Sequence, residues 1–122
     1  MIVLPEEINN NYKGRKIALY LFYLFTVITT IRSLIHMFAP DGGAQTIATI
    51  PLNTFTNEGA STVIFIFSLW GLSQLIMRIF YVIVILRYQS LIPLMYLFIF
   101  IEYLMRFILG TLKPIETSGT AP

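Results

Sequence analysis

The sequence predicts an all-α integral membrane protein with three transmembrane helices in a single domain. Of its 122 residues, 57% are hydrophobic and only 11% are charged, and the mean hydropathy is +0.77. A soluble domain normally carries about 25% charged residues, so this chain has too few polar side chains to cover a globule in water. The second observation is that its apolar residues fall into three long stretches separated by polar segments.

The three apolar stretches cover residues 17–38, 60–86 and 91–112. A helix needs about 20 residues, at 1.5 Å each, to cross the hydrocarbon core, so each stretch can cross it once. As a helix the middle stretch would be roughly 40 Å long, which requires it to tilt or to protrude from the bilayer. It is still too short for two crossings.

The two connections between these stretches differ in kind. Residues 39–59 form a long loop rich in glycine and threonine, in which residues 45–50 can form one helical turn at the membrane interface. Asn57 is expected to be the N-cap of the second helix, with Glu58 favourably placed near the helix start. The second connection is only Arg87-Tyr-Gln-Ser90, and Pro93 is tolerated in a first helical turn. The second and third helices are therefore expected to form a tight antiparallel hairpin.

The positions of lysine and arginine predict the orientation in the membrane. The N-terminal tail, residues 1–16, contains Lys13, Arg15 and Lys16, and the hairpin contains Arg87. The loop of residues 39–59 has no basic residue, and the tail of residues 113–122 has one. The N-terminus and the hairpin are therefore expected in the cytoplasm and the long loop and C-terminal tail outside, in a prokaryotic inner membrane.

Several polar residues interrupt the apolar stretches. They are Arg32, His36, Gln74, Arg78, Glu102 and Arg106. A charge at the centre of a bilayer costs about 2.5–3.5 kcal/mol, so these groups are expected to be paired or hydrated. Within each helix the two named residues are four positions apart, and Thr29 and Ser33 continue the pattern beside Arg32 and His36. Each helix therefore has one polar face, which predicts a polar network inside a bundle. Gly71 and Gly110 lie on the same faces, where they would allow close helix packing.

The segment Arg32-Ser-Leu-Ile-His-Met-Phe-Ala-Pro-Asp-Gly-Gly43 ends the first helix with polar residues. Pro40 stops the helix, and Gly42 and Gly43 permit the chain to reverse direction. Asp41 can then fold back over Arg32 and His36 as a cap, and Glu58 offers a second acid on the same side. With these two acids and Glu102, the three arginines are balanced in number.

The residue types exclude several classes of site. With no cysteine and one histidine, the chain has neither thiol chemistry nor a good ligand set for a metal, and no cofactor is expected. The formal charge of +2 gives no surface for nucleic acid. Pro-Asp-Gly-Gly-Ala is not a phosphate-binding fingerprint, because it follows a helix and lacks the Lys-Ser/Thr ending. We identify no catalytic residue, since no nucleophile is paired with a base.

These observations leave three functional hypotheses. The leading one is a small scaffold or accessory subunit of a membrane assembly, because three helices alone would leave part of the polar faces uncovered. Its partners would be the lipid bilayer and either further copies or a larger membrane complex. The alternative is an oligomeric channel or transporter with an arginine-lined path for anions or protons. An enzyme is the third hypothesis.

Overall fold

The computed structural model describes residues 3–115 and 117, and this part of the chain is helical without strands. Helix α1 is Lys16–Phe38, α2 is Asn57–Arg87 and α3 is Ile92–Leu112. All three are long and apolar enough to cross a membrane, which confirms the predicted number of candidate spans. At 31 residues α2 is about 46 Å long, more than one hydrocarbon core requires.

Helix boundaries follow from local chemistry. Helix α1 ends at Phe38, just before Ala39, because the residue preceding Pro40 is disfavoured in the helical conformation. Helix α2 begins one residue before the expected start, since the Thr56 hydroxyl accepts a hydrogen bond from the Gly59 N–H at 3.0 Å. The N-cap is thus Thr56, and the prediction of Asn57 was wrong by one position. Glu58 lies in the first turn, as expected.

The one-turn helix predicted for residues 45–50 is not formed. Residues 41–48 make successive turns, and a short 3-10 helix follows at Leu52–Thr54. The turns begin at Gly42 and Gly43, whose φ angles of 61° and 75° lie in the left-handed region that glycine adopts without strain. The N–H of Ile50 then bonds to the Ala44 carbonyl at 2.9 Å, which closes the loop on itself.

The chain divides into two compact units, each formed by helix segments and the loops attached to them. The first unit contains Met1–Ile28 and Met77–Pro114. Its core consists of aromatic and aliphatic side chains that are at most 1% exposed, namely Phe22, Tyr81, Val84, Ile92 and Met95. These residues come from α1, α2 and α3, so burial of their apolar surface holds the three helix segments of this unit together.

The short connection in the first unit joins α2 to α3 through Tyr88 and the 3-10 turn Gln89–Leu91. The N-terminal segment packs on this turn: Asn9 N–H donates to Ser90 Oγ at 2.9 Å, and Ser90 N–H donates to the Asn9 carbonyl at 3.1 Å. Tyr96 of α3 also donates its hydroxyl to the Ala18 carbonyl of α1. The expected hairpin is therefore tied both to α1 and to the segment that precedes it.

The second unit contains Thr29–Ile76 and Ile115–Pro122. Its loop has a small apolar core of its own, made by Ala44, Ile50 and Leu52, which pack against one side of α2. Helices α1 and α2 meet closely at Gly71, where a Cβ would lie 2.9 Å from the Ser33 carbonyl oxygen and 3.0 Å from Met37 N. The close approach predicted for Gly71 is confirmed, and a larger residue would push these segments apart.

Most of the apolar side chains on the three helices point away from the core. Examples from each helix are at least half exposed, including Leu24, Ile31, Phe65, Ile76, Phe100 and Phe107. Such a surface is far larger than the apolar patches that soluble proteins tolerate. The arrangement fits helices surrounded by lipid and leaves the charged side chains as the feature that needs a physical explanation.

Candidate functional site: the charged residues of the apolar helices

The six polar residues singled out by the sequence are distributed over both units. Arg78, Glu102 and Arg106 belong to the first unit, where they are in contact with one another. Arg32, His36 and Gln74 belong to the second unit. The structure therefore divides these residues between two local arrangements, one in each unit.

Arg78 is the most deeply buried charged side chain that the structure describes, with 2% of its surface exposed. Its guanidinium carbon lies 5.4 Å from the ring centre of Phe25 on α1 and 5.0 Å from that of Tyr81 on α2. Its Nη2 atom is 3.9 Å from Glu102 Oε2 on α3. All three helices of the first unit thus contribute to one cation site, in which aromatic faces and a carboxylate replace water.

One carboxylate oxygen of Glu102, Oε2, lies near both Arg78 and Arg106. This atom accepts a hydrogen bond of 2.7 Å from Arg106 Nη2, and the same atom faces Arg78. The acid precedes Arg106 by four residues on α3, which is the favourable order for a helical ion pair. The Arg106 guanidinium carbon also lies 4.8 Å from the ring centre of Tyr103. The pairing of Glu102 with both arginines is what the sequence led us to expect.

The same cluster is only partly covered. The side chains of Glu102 and Arg106 are 29% and 34% exposed, whereas Arg78 is almost fully enclosed. One turn further along the same face of α3, a Cβ at Gly110 would find nothing within 4 Å. Among the described residues, the expectation that Gly110 packs against a neighbouring helix is therefore not met. The face is buried at its start, at Met95, and open at its end.

His36 occupies an aromatic and glycine-lined site in the second unit and is 2% exposed. Its ring centre is 4.7 Å from that of Trp70 and 5.6 Å from that of Phe67, both on α2. Its Nδ1 donates a hydrogen bond of 2.8 Å to the Gly42 carbonyl, which fixes the proton on Nδ1. A Cβ at Gly43 would lie 2.8 Å from that nitrogen, so glycine is required for the loop to close.

Asp41 bonds within its own loop. One carboxylate oxygen accepts the Gly43 N–H and the other the Thr46 N–H, each at 2.9 Å. The salt bridges in the described part of the chain both involve Glu102, so Asp41 and the exposed Glu58 do not form the ion-pair caps expected for them. The loop does fold back over His36, but a backbone carbonyl makes the contact, because the left-handed Gly42 turns that carbonyl inward.

Burial alone would raise the pKa of Asp41, but the hydrogen bonds from Thr46 and Gly43 outweigh it, and the pKa lies below its ordinary value. A lowered pKa in the folded state stabilises the fold above the unfolded-state pKa, and this contribution is lost as the pH falls through the folded-state pKa. We expect Asp41→Asn to lower the free energy of unfolding by about 1 kcal/mol at neutral pH, as for loss of a helix cap. Denaturant titrations should show the difference shrinking below a pH of about 4. An equal difference at every pH would contradict this role.

The hydroxyl groups on the polar face of α1 are satisfied by their own helix. Ser33 donates to the Thr29 carbonyl and Thr26 to the Phe22 carbonyl, each at 2.8 Å. Arg32, on the same face, is half-buried, and the Oε1 atom of Gln74 is buried without a hydrogen-bond partner in the described residues. The spacing of polar residues in the sequence therefore identified the buried face of α1. It did not predict that the hydroxyl groups on this face donate to carbonyl groups of their own helix.

Sequence reasoning missed the aromatic part of the arginine site. Phe25, Tyr81 and Tyr103 surround the ion pairs, and Phe25 and Tyr103 contact each other edge to face at 6.2 Å. One signal was available, because Tyr81 follows Arg78 by three residues on the same face of α2. Phe25 gave none, since phenylalanine is also common on lipid-facing surfaces.

The cluster of Arg78, Glu102 and Arg106 is suited to binding charged groups. Among the described residues, no group of three or more histidine, cysteine, aspartate or glutamate side chains could hold a metal ion. The cluster instead combines two guanidinium groups and one carboxylate. Comparisons of the chain with protein-family models, with curated proteins and with solved structures gave no match.

Proposed function

We propose that the protein is a small integral membrane protein that serves as a scaffold or accessory subunit of a larger membrane assembly. One observation carries the proposal: the Glu102–Arg106 pair of α3 is about one-third exposed on a helix whose surroundings are apolar. Lipid tails cannot hydrogen-bond to such a pair, and intramembrane charges normally face other protein groups or water. Contact with a further protein would cover this face.

The buried part of the cluster supports a structural role over a conducting path. Arg78 is enclosed by Phe25, Tyr81 and Glu102 and has almost no surface that water can reach. A side chain in this setting holds α2 and α3 together, whereas a residue lining a pore needs contact with water. Arginine held by carboxylate and aromatic groups is well suited to fixing the register of packed helices.

The orientation and location proposed for the chain follow from its charges. We place the N-terminus and Arg87 in the cytoplasm, and residues 41–58 outside, in a prokaryotic inner membrane. Because the chain has no native cysteine, single cysteines at Tyr88 and Asn53 can be labelled without background. A membrane-impermeant maleimide added to intact cells should label position 53 and leave position 88 unmodified. The reverse pattern would overturn the proposed topology.

The function itself is tested by isolating the protein from its native membrane in a mild detergent. We expect a native mass well above the 14.0 kDa of one chain, with another membrane protein present in fixed ratio. The variant Arg106→Gln should lose that protein, whereas Lys113→Gln, which removes an exposed charge just beyond α3, should retain it. A closed oligomer of this chain alone, with anion or proton flux after reconstitution into liposomes, would instead support the channel or transporter.

A further inference from the structure

The first unit contains a cleft of about 560 Å³ between residues 4–13 of the N-terminal segment and the turn that joins α2 to α3. The side formed by the N-terminal segment includes Glu6, Glu7 and Lys13, and the opposite side includes Ser90 and Pro93. Sites for small molecules in proteins typically have volumes of roughly 300–1,000 Å³, so this cleft is large enough to hold a polar ligand.

Hydrogen bonds hold the N-terminal side of the cleft in place. The N–H of Asn9 donates to Ser90 Oγ at 2.9 Å, and the N–H of Ser90 donates to the Asn9 carbonyl at 3.1 Å. The N–H of Gln89 also donates to Asn10 Oδ1 at 3.3 Å. Because this attachment lies between the two acids and Lys13 in the sequence, a ligand would meet charged residues on a segment that is already ordered, which reduces the entropic cost of binding.

The cleft presents both signs of charge. Glu6, Glu7 and Lys13 are exposed, and in the part of the chain that the structure describes neither acid forms a salt bridge with Lys13. A carboxylate accepts hydrogen bonds, and a primary ammonium group offers three N–H donors to it. The lysine ammonium is in turn a common partner of phosphate. The best complement of this cleft is therefore a ligand that carries a primary ammonium group and a phosphate a short distance apart.

The cleft lies at one end of the helices of the first unit. Lys13 precedes the start of α1 at Lys16 by three residues, and Ser90 lies between the end of α2 at Arg87 and the start of α3 at Ile92. Ends of membrane-crossing helices lie at the level of the lipid headgroups. Leu4, which also lines the cleft, is 73% exposed and provides an apolar contact beside the charged residues. The position therefore favours a lipid headgroup as the ligand.

We propose that this cleft binds the phosphoethanolamine group of a phospholipid, with its ammonium at Glu6 and Glu7 and its phosphate at Lys13. Phosphatidylcholine carries the same phosphate, but its quaternary ammonium has no N–H to donate to a carboxylate. Phosphatidylglycerol has the phosphate without a cation, so the two acids would repel it. This inference goes beyond the proposed function, because it assigns a ligand at the helix ends whether or not another protein covers α3.

The test is a titration of the full-length, delipidated protein in detergent with three phospholipids that have identical acyl chains. Native mass spectrometry measures the fraction of protein that carries bound lipid. We expect phosphatidylethanolamine to bind about tenfold more tightly than phosphatidylcholine or phosphatidylglycerol. Equal binding of phosphatidylethanolamine and phosphatidylcholine would overturn the inference. Tighter binding of phosphatidylglycerol would also overturn it, since basic residues would then attract lipid through charge alone.

Variants assign the two halves of the headgroup to their residues. The double variant Glu6→Gln with Glu7→Gln should bind phosphatidylethanolamine no better than phosphatidylcholine. Lys13→Gln should weaken the binding of both lipids, because both carry the phosphate. Glu58→Gln, which changes an exposed acid of the second unit, should leave the preference unchanged. A preference for phosphatidylethanolamine that survives the double substitution would contradict the assignment.

Competition with free O-phosphoethanolamine distinguishes a membrane lipid from a soluble source of the same group. Displacement of bound phosphatidylethanolamine that needs a large excess of the free compound would identify the lipid as the ligand. Displacement at an equal concentration would keep the phosphoethanolamine site but make a soluble compound its ligand. If a large excess displaces no lipid, the acyl chains rather than the headgroup determine binding, and the inference is wrong.

Discussion

Replacing Glu102 with glutamine is expected to lower the free energy of unfolding by about 3 kcal/mol. Glu102 is the acid paired with both Arg78 and Arg106, and Arg78 is 2% exposed. Glutamine keeps the shape and can still accept a hydrogen bond, but it removes the negative charge. The buried guanidinium would then lose the charge that compensates it, while the faces of Phe25 and Tyr81 remain beside it. We choose the low end of the usual range because Glu102 is itself partly exposed.

The measurement is unfolding by sodium dodecyl sulfate in mixed micelles, followed by circular dichroism. Glu58→Gln is the matched control, because it makes the same change at an exposed acid in the first turn of α2. Its expected effect is only about 0.5 kcal/mol, through the helix dipole. The double variant Glu102→Gln with Arg78→Leu should be more stable than Glu102→Gln alone, since the uncompensated charge is removed. Wild-type stability of Glu102→Gln would show that the carboxylate is not needed to hold the fold.

Replacing Gly71 with alanine is expected to lower the free energy of unfolding by about 2 kcal/mol through overpacking. The added Cβ would lie 2.8 Å from His36 Cβ, 2.9 Å from the Ser33 carbonyl oxygen and 3.0 Å from Met37 N. Two of these atoms belong to the α1 backbone, which cannot rotate away as a flexible side chain could. The packing of His36 against Trp70 should be disturbed at the same time, so the tryptophan emission of Gly71→Ala should shift.

Gly110→Ala is the control for this substitution, because it also replaces a glycine inside a helix. Nothing lies within 4 Å of the added Cβ, so the variant should gain up to about 1 kcal/mol from the better helix propensity of alanine. The same denaturant titration measures both variants. If Gly71→Ala is as stable as Gly110→Ala, the close contact between α1 and α2 at Gly71 does not contribute to stability.

The helices and the residues of the charged cluster could be predicted from the sequence because both depend on local spacing. Apolar stretches of at least 20 residues determine the candidate spans, and the four-residue step from Glu102 to Arg106 determines their contact. Pairing of Arg78 with Glu102 was also predictable, since the connection between α2 and α3 is too short to allow any arrangement but a hairpin. Gly71 was identified for the same reason, as a small residue on a polar face.

The loop could not be predicted in the same way, because its conformation depends on side-chain hydrogen bonds that have competing partners. The Asp41 carboxylate could have bonded either to the cations of α1 or to N–H groups of its own turn. It bonds to the N–H groups, because they lie close to it along the chain. The aromatic residues around Arg78 were missed because Phe25 lies on a different helix, more than 50 residues away in the sequence. No periodic pattern links residues across that separation.

The central claim, that another protein covers the face of α3 formed by Glu102, Arg106 and Gly110, is tested most directly by photocrosslinking in native membranes. A photoreactive amino acid is placed at Gly110 on this face, and in a second variant at Leu104, which lies on a different side of α3 and is exposed among apolar residues. We predict that position 110 crosslinks to a protein and that position 104 crosslinks to lipid. Crosslinking of both positions to lipid alone would contradict the account.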